Sequence, residues 1–318
     1  MSEDALVVVA TAYGGPEVLR LIREPVAEPG PGEVLLEVRA AGVNPADWKA
    51  YSGQMGNDPK ALPMRLGREA SGVVTAVGPG GADGPAGEVS VGDEVIAFRI
   101  AGAYADRLIV GAEAVVPKPA AFSLEQAGGL MLAGTTAVHA LTVVGVGEGE
   151  TLLVHGASGG VGRVTTQVAR ARGARVIGTA SPAHHEELRA LGAEPVAYGD
   201  GLLERVRAIA PEGVDAAIDT IGTDEAMDVS LELVAERNRI ATIANFGRGF
   251  TEGVKVLGGG PGADPGVEIR AAARLELVRL ADEGKLTLKA VPYPLSEVAV
   301  AHRESIAGHP AGKLVLVP

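Results

Sequence analysis

The stretch Thr151-Leu-Leu-Val-His155-Gly156-Ala-Ser158-Gly159-Gly160-Val161-Gly162 decides how this chain is read. Residues 151–155 form an apolar run of strand length, the glycines form a turn, and Val164, Val168 and Ala171 then recur at helical spacing. A diphosphate held at such a turn needs free N–H groups at a helix start and no Cβ where the chain meets the phosphates. It also needs a small residue where helix and strand approach. Gly159, Gly160 and Gly162 meet these needs, so the unit is expected to grip a nicotinamide dinucleotide, with Ser158 and Val161 in the same turn. The first spacing is G-x-x-G rather than G-x-G. The bland alternative, a tight turn without ligand, is weighed down by the agreement of strand, helix and unit length.

Chains that bind NAD usually end the second strand of this unit on an acid that holds the ribose 2′-OH. Here residues 178–181 read Gly-Thr-Ala-Ser, with no acid before Glu186. The missing carboxylate removes repulsion against a 2′-phosphate, and Ser181, His184 and Tyr198 offer hydrogen bonds to it. NADPH is therefore the favoured cofactor. For His184 and His185, two solvated residues in a first helical turn are an equally good reading.

Working outward, residues 6–119 are short apolar runs cut by Gly and Pro, including 34–38, 72–77, 94–98, 108–110 and 114–116, a β-rich texture. From Ser123 strands alternate with helices, which implies a parallel sheet. Strands are expected at 151–155, 175–179, 195–198, 214–219 and 239–243. Helices are expected at 162–172, 182–191, 202–209 and 225–233. Residues 248–266 read as a glycine-rich loop with a short strand at 254–257, followed by a helix over 267–283. A strand over 286–291, a helix over 296–305 and a strand over 313–317 complete the pattern.

At 318 residues two domains are favoured over one. A net charge of −12 argues against nucleic acid or an anionic membrane as the main partner. The opening residues Met1 to Val9 carry acids rather than the positive start of a signal peptide, and no apolar run approaches the ~20 residues of a membrane span. A cytoplasmic protein is expected. The absence of cysteine excludes disulfides, thiol nucleophiles and cysteine-bound zinc. Arg outnumbers Lys 21 to 7, which with abundant Ala and Gly suggests a GC-rich bacterial genome.

Several motifs in order resemble the medium-chain dehydrogenase/reductase superfamily, specifically its zinc-free quinone oxidoreductase and enone reductase branch. They are residues 41–47 (AGVNPAD), 67–73 (GREASGV), 91–95 (VGDEV), 132–137 (LAGTTA), 155–162 (HGASGGVG), 214–222 (VDAAIDTIG) and 312–316 (GKLVL). The resemblance covers nearly the whole chain. It implies an α/β protein with a GroES-like β-rich catalytic domain at 1–122 and 267–318, a Rossmann domain inserted at 123–266, and an active site in the cleft between them. Zinc-dependent relatives place Cys at the position of Asn44 and His at that of Arg68, so no metal is expected. By resemblance Asn44 and Thr136 face the nicotinamide ribose and carboxamide, and Gly159, Gly160 and Val161 present the turn to the diphosphate. Ser181, His184 and Tyr198 line the 2′-phosphate pocket, although relatives usually carry Lys where His184 stands. Ile243, Asn245 and Phe246 pass near the nicotinamide, and a homodimer is implied.

Such a site passes hydride from NADPH to an enone β-carbon or a quinone, with charge developing on the carbonyl oxygen. Lys49 and Tyr51 are candidate donors to that oxygen, a solvated Lys and a packed Tyr being the plainer readings, while Trp48 is expected to wall the cleft. Two other classes stay open. Residues 156–160 also fit the G-x-S-x-G elbow of a serine hydrolase, with Ser158 as nucleophile and Asp219 and His302 following in order. A protein that binds the cofactor without turnover is the third.

Overall fold

The computed structural model describes residues 4–308 and 312–318, so Met1–Glu3 of the opening stretch lie outside it. The chain divides into two units, Met1–Leu132 with Thr287–Pro318, and Ala133–Leu286.

Strand Thr151–His155 is buried at every position, as a strand covered on both faces of a parallel sheet must be. It is the centre of the second unit. Among the described residues six strands lie side by side in the order Glu194–Val196, Arg175–Thr179, Thr151–His155, Ala216–Asp219, Ile240–Thr242 and Lys255–Val256. All neighbours are parallel. The chain starts in the middle, winds out to one edge and returns to the other, which is the Rossmann order with its switch point beside Thr151–His155. The glycine turn sits on that switch point, and helix Gly160–Ala171 leaves from it with Val164, Val168 and Ala169 buried.

The first unit is β-rich. Its main sheet runs Val115–Pro117, Glu94–Phe98, Glu69–Val77, Glu33–Gly42, Lys313–Val317 and Ala290–Pro294, with Arg107–Gly111 also pairing on Glu33–Gly42. Buried and partly exposed residues alternate along the first part of Glu33–Gly42, so one face goes to the core. The C-terminal strand Lys313–Val317 joins Glu33–Gly42 antiparallel and Ala290–Pro294 parallel, the latter pair spanned by helix Val298–Ala307. Short helices Pro45–Tyr51 and Leu124–Gly128 begin at Asn44 and Ser123. Ser123 and Gln126 cap the second reciprocally, through Gln126 N–H to Ser123 Oγ at 3.3 Å and Ser123 N–H to Gln126 Oε1 at 2.9 Å.

Four details depart from the sequence expectation. The unit boundaries fall at 132/133 and 286/287 rather than 122/123 and 266/267. Helix Val267–Asp282 goes with the Rossmann unit because Arg270 donates to Thr136 and Leu277 fills the space over Gly134. Residues 248–266 are not all loop, since Asn245 caps a helix, Phe246–Glu252, which ends at Gly253 in the left-handed region. The strand expected from Leu286 starts at Ala290, because Leu286 N–H closes the preceding helix on Leu280 O at 3.1 Å. Residues 182–191 split into a 3-10 turn, Pro182–His184, and a helix, His185–Ala190. Among the described residues no helix is long and apolar enough to cross a membrane.

Candidate functional site

In the Rossmann unit the turn is built by three glycines with different duties. Gly156 takes φ +72°. A Cβ on Gly162 would fall 2.3 Å from Gly156 O and 2.7 Å from Ala157 Cα, so only glycine lets the helix close on the strand. A Cβ on Gly160 would meet nothing within 4 Å. Gly159 and Gly160 are exposed, and the first-turn N–H groups of Gly160–Ala171, which lack intrahelical acceptors, open there. The chemistry of this turn fits a diphosphate: bare backbone, donors aligned with the helix dipole, and no acid in the first helical turn.

Arg163 ties the turn to the next helix. Its Nε donates to Ser158 O at 2.5 Å and its guanidinium forks onto Glu187, with Nη2 to Oε2 at 2.8 Å. His184 Nδ1 lies 3.7 Å from the same Glu187 Oε2. The strand end is thus acid-free in sequence but has a carboxylate folded back to it from the next helix. Ser181 is half-buried at the start of the Pro182–His184 turn, and Tyr198 is exposed.

Strand Ala216–Asp219 and the one after it are joined by Asp219, which is fully buried. Thr242 Oγ1 donates to its Oδ2 at 2.7 Å, and the N–H groups of Ile221 and Gly222 donate to its Oδ1 at 3.0 and 2.8 Å. Ile243, Asn245 and Phe246 follow Ile240–Thr242 as expected. Asn245 is engaged in capping, and the Phe246 ring lies under Gly258 and Gly260, where any Cβ would come within 2.9 Å of it. Thr136, nearly buried, accepts from Arg270 Nη1 at 2.9 Å. Arg270 Nε also donates to His139 Nδ1 at 3.4 Å, and His139 Nε2 donates to Asp264 at 3.1 Å. Burial holds His139 below the usual histidine range.

In the β-rich unit Asn44 is buried, and its side chain is spoken for. Nδ2 donates to Glu69 Oε1 at 2.9 Å and Gly42 O at 3.2 Å, while Oδ1 accepts from Lys313 Nζ. Lys313 Nζ lies 3.1 Å from Glu69 Oε1, and Glu69 Oε2 accepts the N–H of Leu132 at 2.8 Å. The Lys313 ammonium group therefore sits against both Asn44 Oδ1 and Glu69 Oε1. Arg68 is half-exposed, 3.8 Å from Asp47. Among the described residues no three His, Cys, Asp or Glu side chains converge as a metal site.

Next to this cluster runs a buried relay. Tyr51 O–H donates to His302 Nδ1 at 2.8 Å, His302 Nε2 donates to Tyr104 Oη at 3.2 Å, and Tyr104 O–H donates to Asp47 Oδ2 at 2.9 Å. The direction follows from the last link, because once Tyr104 gives its proton to Asp47 it can only accept from His302. Asn44 N–H also donates to Asp47 Oδ2 at 2.9 Å. Burial pushes Asp47 up to about 6 and His302 down to about 4. Burial also raises the phenols of Tyr51 and Tyr104. Tyr51 is thus a structural member of this relay, fully buried. Lys49 is half-buried, with Nζ 5.6 Å from the Trp48 ring centroid.

The hydrolase reading loses its parts here. His302 has both ring nitrogens committed to tyrosines, and Asp219 has its oxygens committed to Thr242 and backbone donors. Sequence reasoning missed Glu69, Lys313, Arg163, Glu187 and Arg270. Only Lys313 and Glu69 carried a signal, since each stood inside a quoted motif.

Two family models match the chain: "Alcohol dehydrogenase GroES-like domain" over residues 30–120 and "Zinc-binding dehydrogenase" over 160–257. A quinone oxidoreductase of Pseudomonas aeruginosa is 33% identical over 96% of this chain and 98% of its own. The solved structure of a mycobacterial protein complexed with NADPH superposes with TM-score 0.83 at 31% identity, covering 99% of this chain and 100% of that one. The CurK enoyl reductase superposes with TM-score 0.84 at 26% identity, over 98% and 99%. With a β-rich GroES-like unit, a Rossmann unit that takes a nicotinamide cofactor, and full-length likeness to quinone oxidoreductases, this chain belongs to the medium-chain dehydrogenase/reductase superfamily.

Proposed function

We propose that the chain is an NADPH-dependent oxidoreductase that passes hydride to a quinone or to the activated C=C of an α,β-unsaturated carbonyl, and that it works without zinc. The observation that carries the reading is the open turn Ser158–Val161 on the sheet's switch point, combined with a second strand that ends without its own acid. Quinone oxidoreductases and an enoyl reductase among the similar proteins support the acceptor class. The engagement of Asn44 and Glu69 by Lys313 supports independence from zinc, because an ammonium beside both oxygens repels a dication.

When bound, the dinucleotide supplies the hydride. The chain's part is to hold and orient: Ser158, Gly159, Gly160 and Val161 take the diphosphate, and Ser181, His184 and Tyr198 face the 2′-phosphate. Thr136, held by Arg270, and Asn44 keep the nicotinamide-end roles that the resemblance implies, together with Ile243, Asn245 and Phe246. Tyr51 is committed to His302, so the proton that follows hydride onto the enolate or quinolate is assigned to solvent, with Lys49 as the side chain to test. The homodimer and the cytoplasmic location belong to the same proposal.

The test follows NADPH absorbance with metal-depleted protein against quinones, enones and saturated aldehydes, with metal content measured in parallel. Turnover of the first two classes without metal is expected. Turnover restricted to saturated aldehydes or alcohols and dependent on added zinc would sink the reading.

A further inference from the structure

The corner where the second strand ends contains one feature that no role above uses. Arg163, the first residue after the glycine turn, is largely buried, yet its guanidinium is spent on Glu187, a residue of the next helix. Glu187 Oε2 also lies 3.7 Å from His184 Nδ1. This single arginine touches both the turn, through Ser158 O, and the corner that distinguishes a 2′-phosphate from a 2′-hydroxyl. A guanidinium fork matches a carboxylate and a phosphate equally well, and the two compete for the same N–H pair.

We propose that Arg163 is the residue that reads the 2′-phosphate of the dinucleotide, and that Glu187 holds its fork in the free protein and yields it on binding. The inference rests on the NADPH reading above. Without Arg163 the corner is left with Glu187 lacking its guanidinium partner, an anion that would disfavour a phosphate. With it, the pair is neutral when closed and offers a cation when Glu187 lets go. A dinucleotide bearing a free 2′-hydroxyl has no group to compete with Glu187, so the ion pair stays shut under it.

Calorimetric titration of the full chain with NADPH and NADH separates the possibilities. R163Q is expected to weaken NADPH roughly tenfold or more and to leave NADH within about threefold. E187Q removes the competitor while sparing the bond from Arg163 to Ser158, and is expected to tighten NADPH by roughly threefold or more with NADH unchanged. Equal weakening of both dinucleotides in R163Q would mean that Arg163 only straps the turn, and would overturn the proposal. So would E187Q with unaltered NADPH affinity, a result that decides the matter alone if R163Q does not fold. A wild-type chain that prefers NADH defeats the underlying cofactor reading, whereas a wild-type NADPH preference left intact in R163Q defeats this inference only.

Discussion

Lys313 Nζ and Glu69 Oε1 face each other at 3.1 Å with side chains 9% and 0% exposed, one from the C-terminal strand and one from the strand Glu69–Val77. Removing one member of a buried pair strands the other charge, whereas removing both does not. K313M is expected to lower stability by about 3 kcal/mol, and the double variant K313M/E69Q to recover at least half of it. Urea unfolding checks this. A K313M protein as stable as wild type would show that the pair is solvated in solution.

The two inner glycines of the turn should fail in different ways. G162A places a methyl onto Gly156 O and should cost about 3 kcal/mol or prevent folding. G160A enters open space, so stability should stay within about 0.5 kcal/mol while NADPH affinity drops roughly tenfold. Thermal unfolding paired with cofactor titration reads both. Unchanged NADPH affinity in G160A would remove the turn from the phosphate site.

Tyr51 bears on protonation. Y51F deletes a donor to His302 Nδ1 and should destabilise by about 1 kcal/mol while leaving NADPH turnover within about twofold. Turnover lost from a fully stable Y51F would return Tyr51 to the reacting atoms.

Stability should decline as pH is lowered through the acidic range. His155 and His302 are held at about 4 by burial, against 6.5 for a free histidine. Depressed in the folded state, each contributes stability that is complete above 6.5 and is lost as pH falls toward 4. Asp47, raised from 3.8 to about 6, has the opposite sign: its contribution is complete below 3.8 and is lost as pH rises through 6. Burial depresses His139 in the same sense, and together the histidines outweigh the one aspartate, so stability is expected to fall between pH 6.5 and 4. Urea midpoints across that range test it, and a flat profile would contradict the burial of the two imidazoles.

The parts of this molecule that sequence made legible are those set by local pattern. Thr151–His155, Arg175–Thr179, Glu94–Phe98, Leu202–Ile209 and Lys313–Val317 begin and end where periodicity and glycine place them. Helix Phe246–Glu252 escaped because Gly247 and Gly249 lower helix propensity. Gly249 is needed there, since a Cβ would meet Val256 and Thr242 within 2.8 Å as the helix closes on the sheet. The polar partnerships escaped for a different reason. Arg163 with Glu187, Arg270 with Thr136, and Lys313 with Glu69 join elements that only the tertiary fold brings together, and a charged residue gives no hint of its partner in a one-dimensional pattern. Tyr51 was open to a catalytic reading for the same reason, its hydroxyl being claimed by a histidine from the far end of the chain.

The placement of Lys313–Val317 beside Glu33–Gly42 sets an order of events during synthesis. A ribosome delivers residues 133–286 as one uninterrupted block, able to assemble its parallel sheet as it emerges. The other unit must wait with an unfilled slot in its sheet, and with the Glu69 carboxylate lacking its counter-ion, until residues 313–317 have emerged. Nascent chains stalled before residue 313 would therefore present an open β edge, the form most exposed to mispairing and to capture by chaperones.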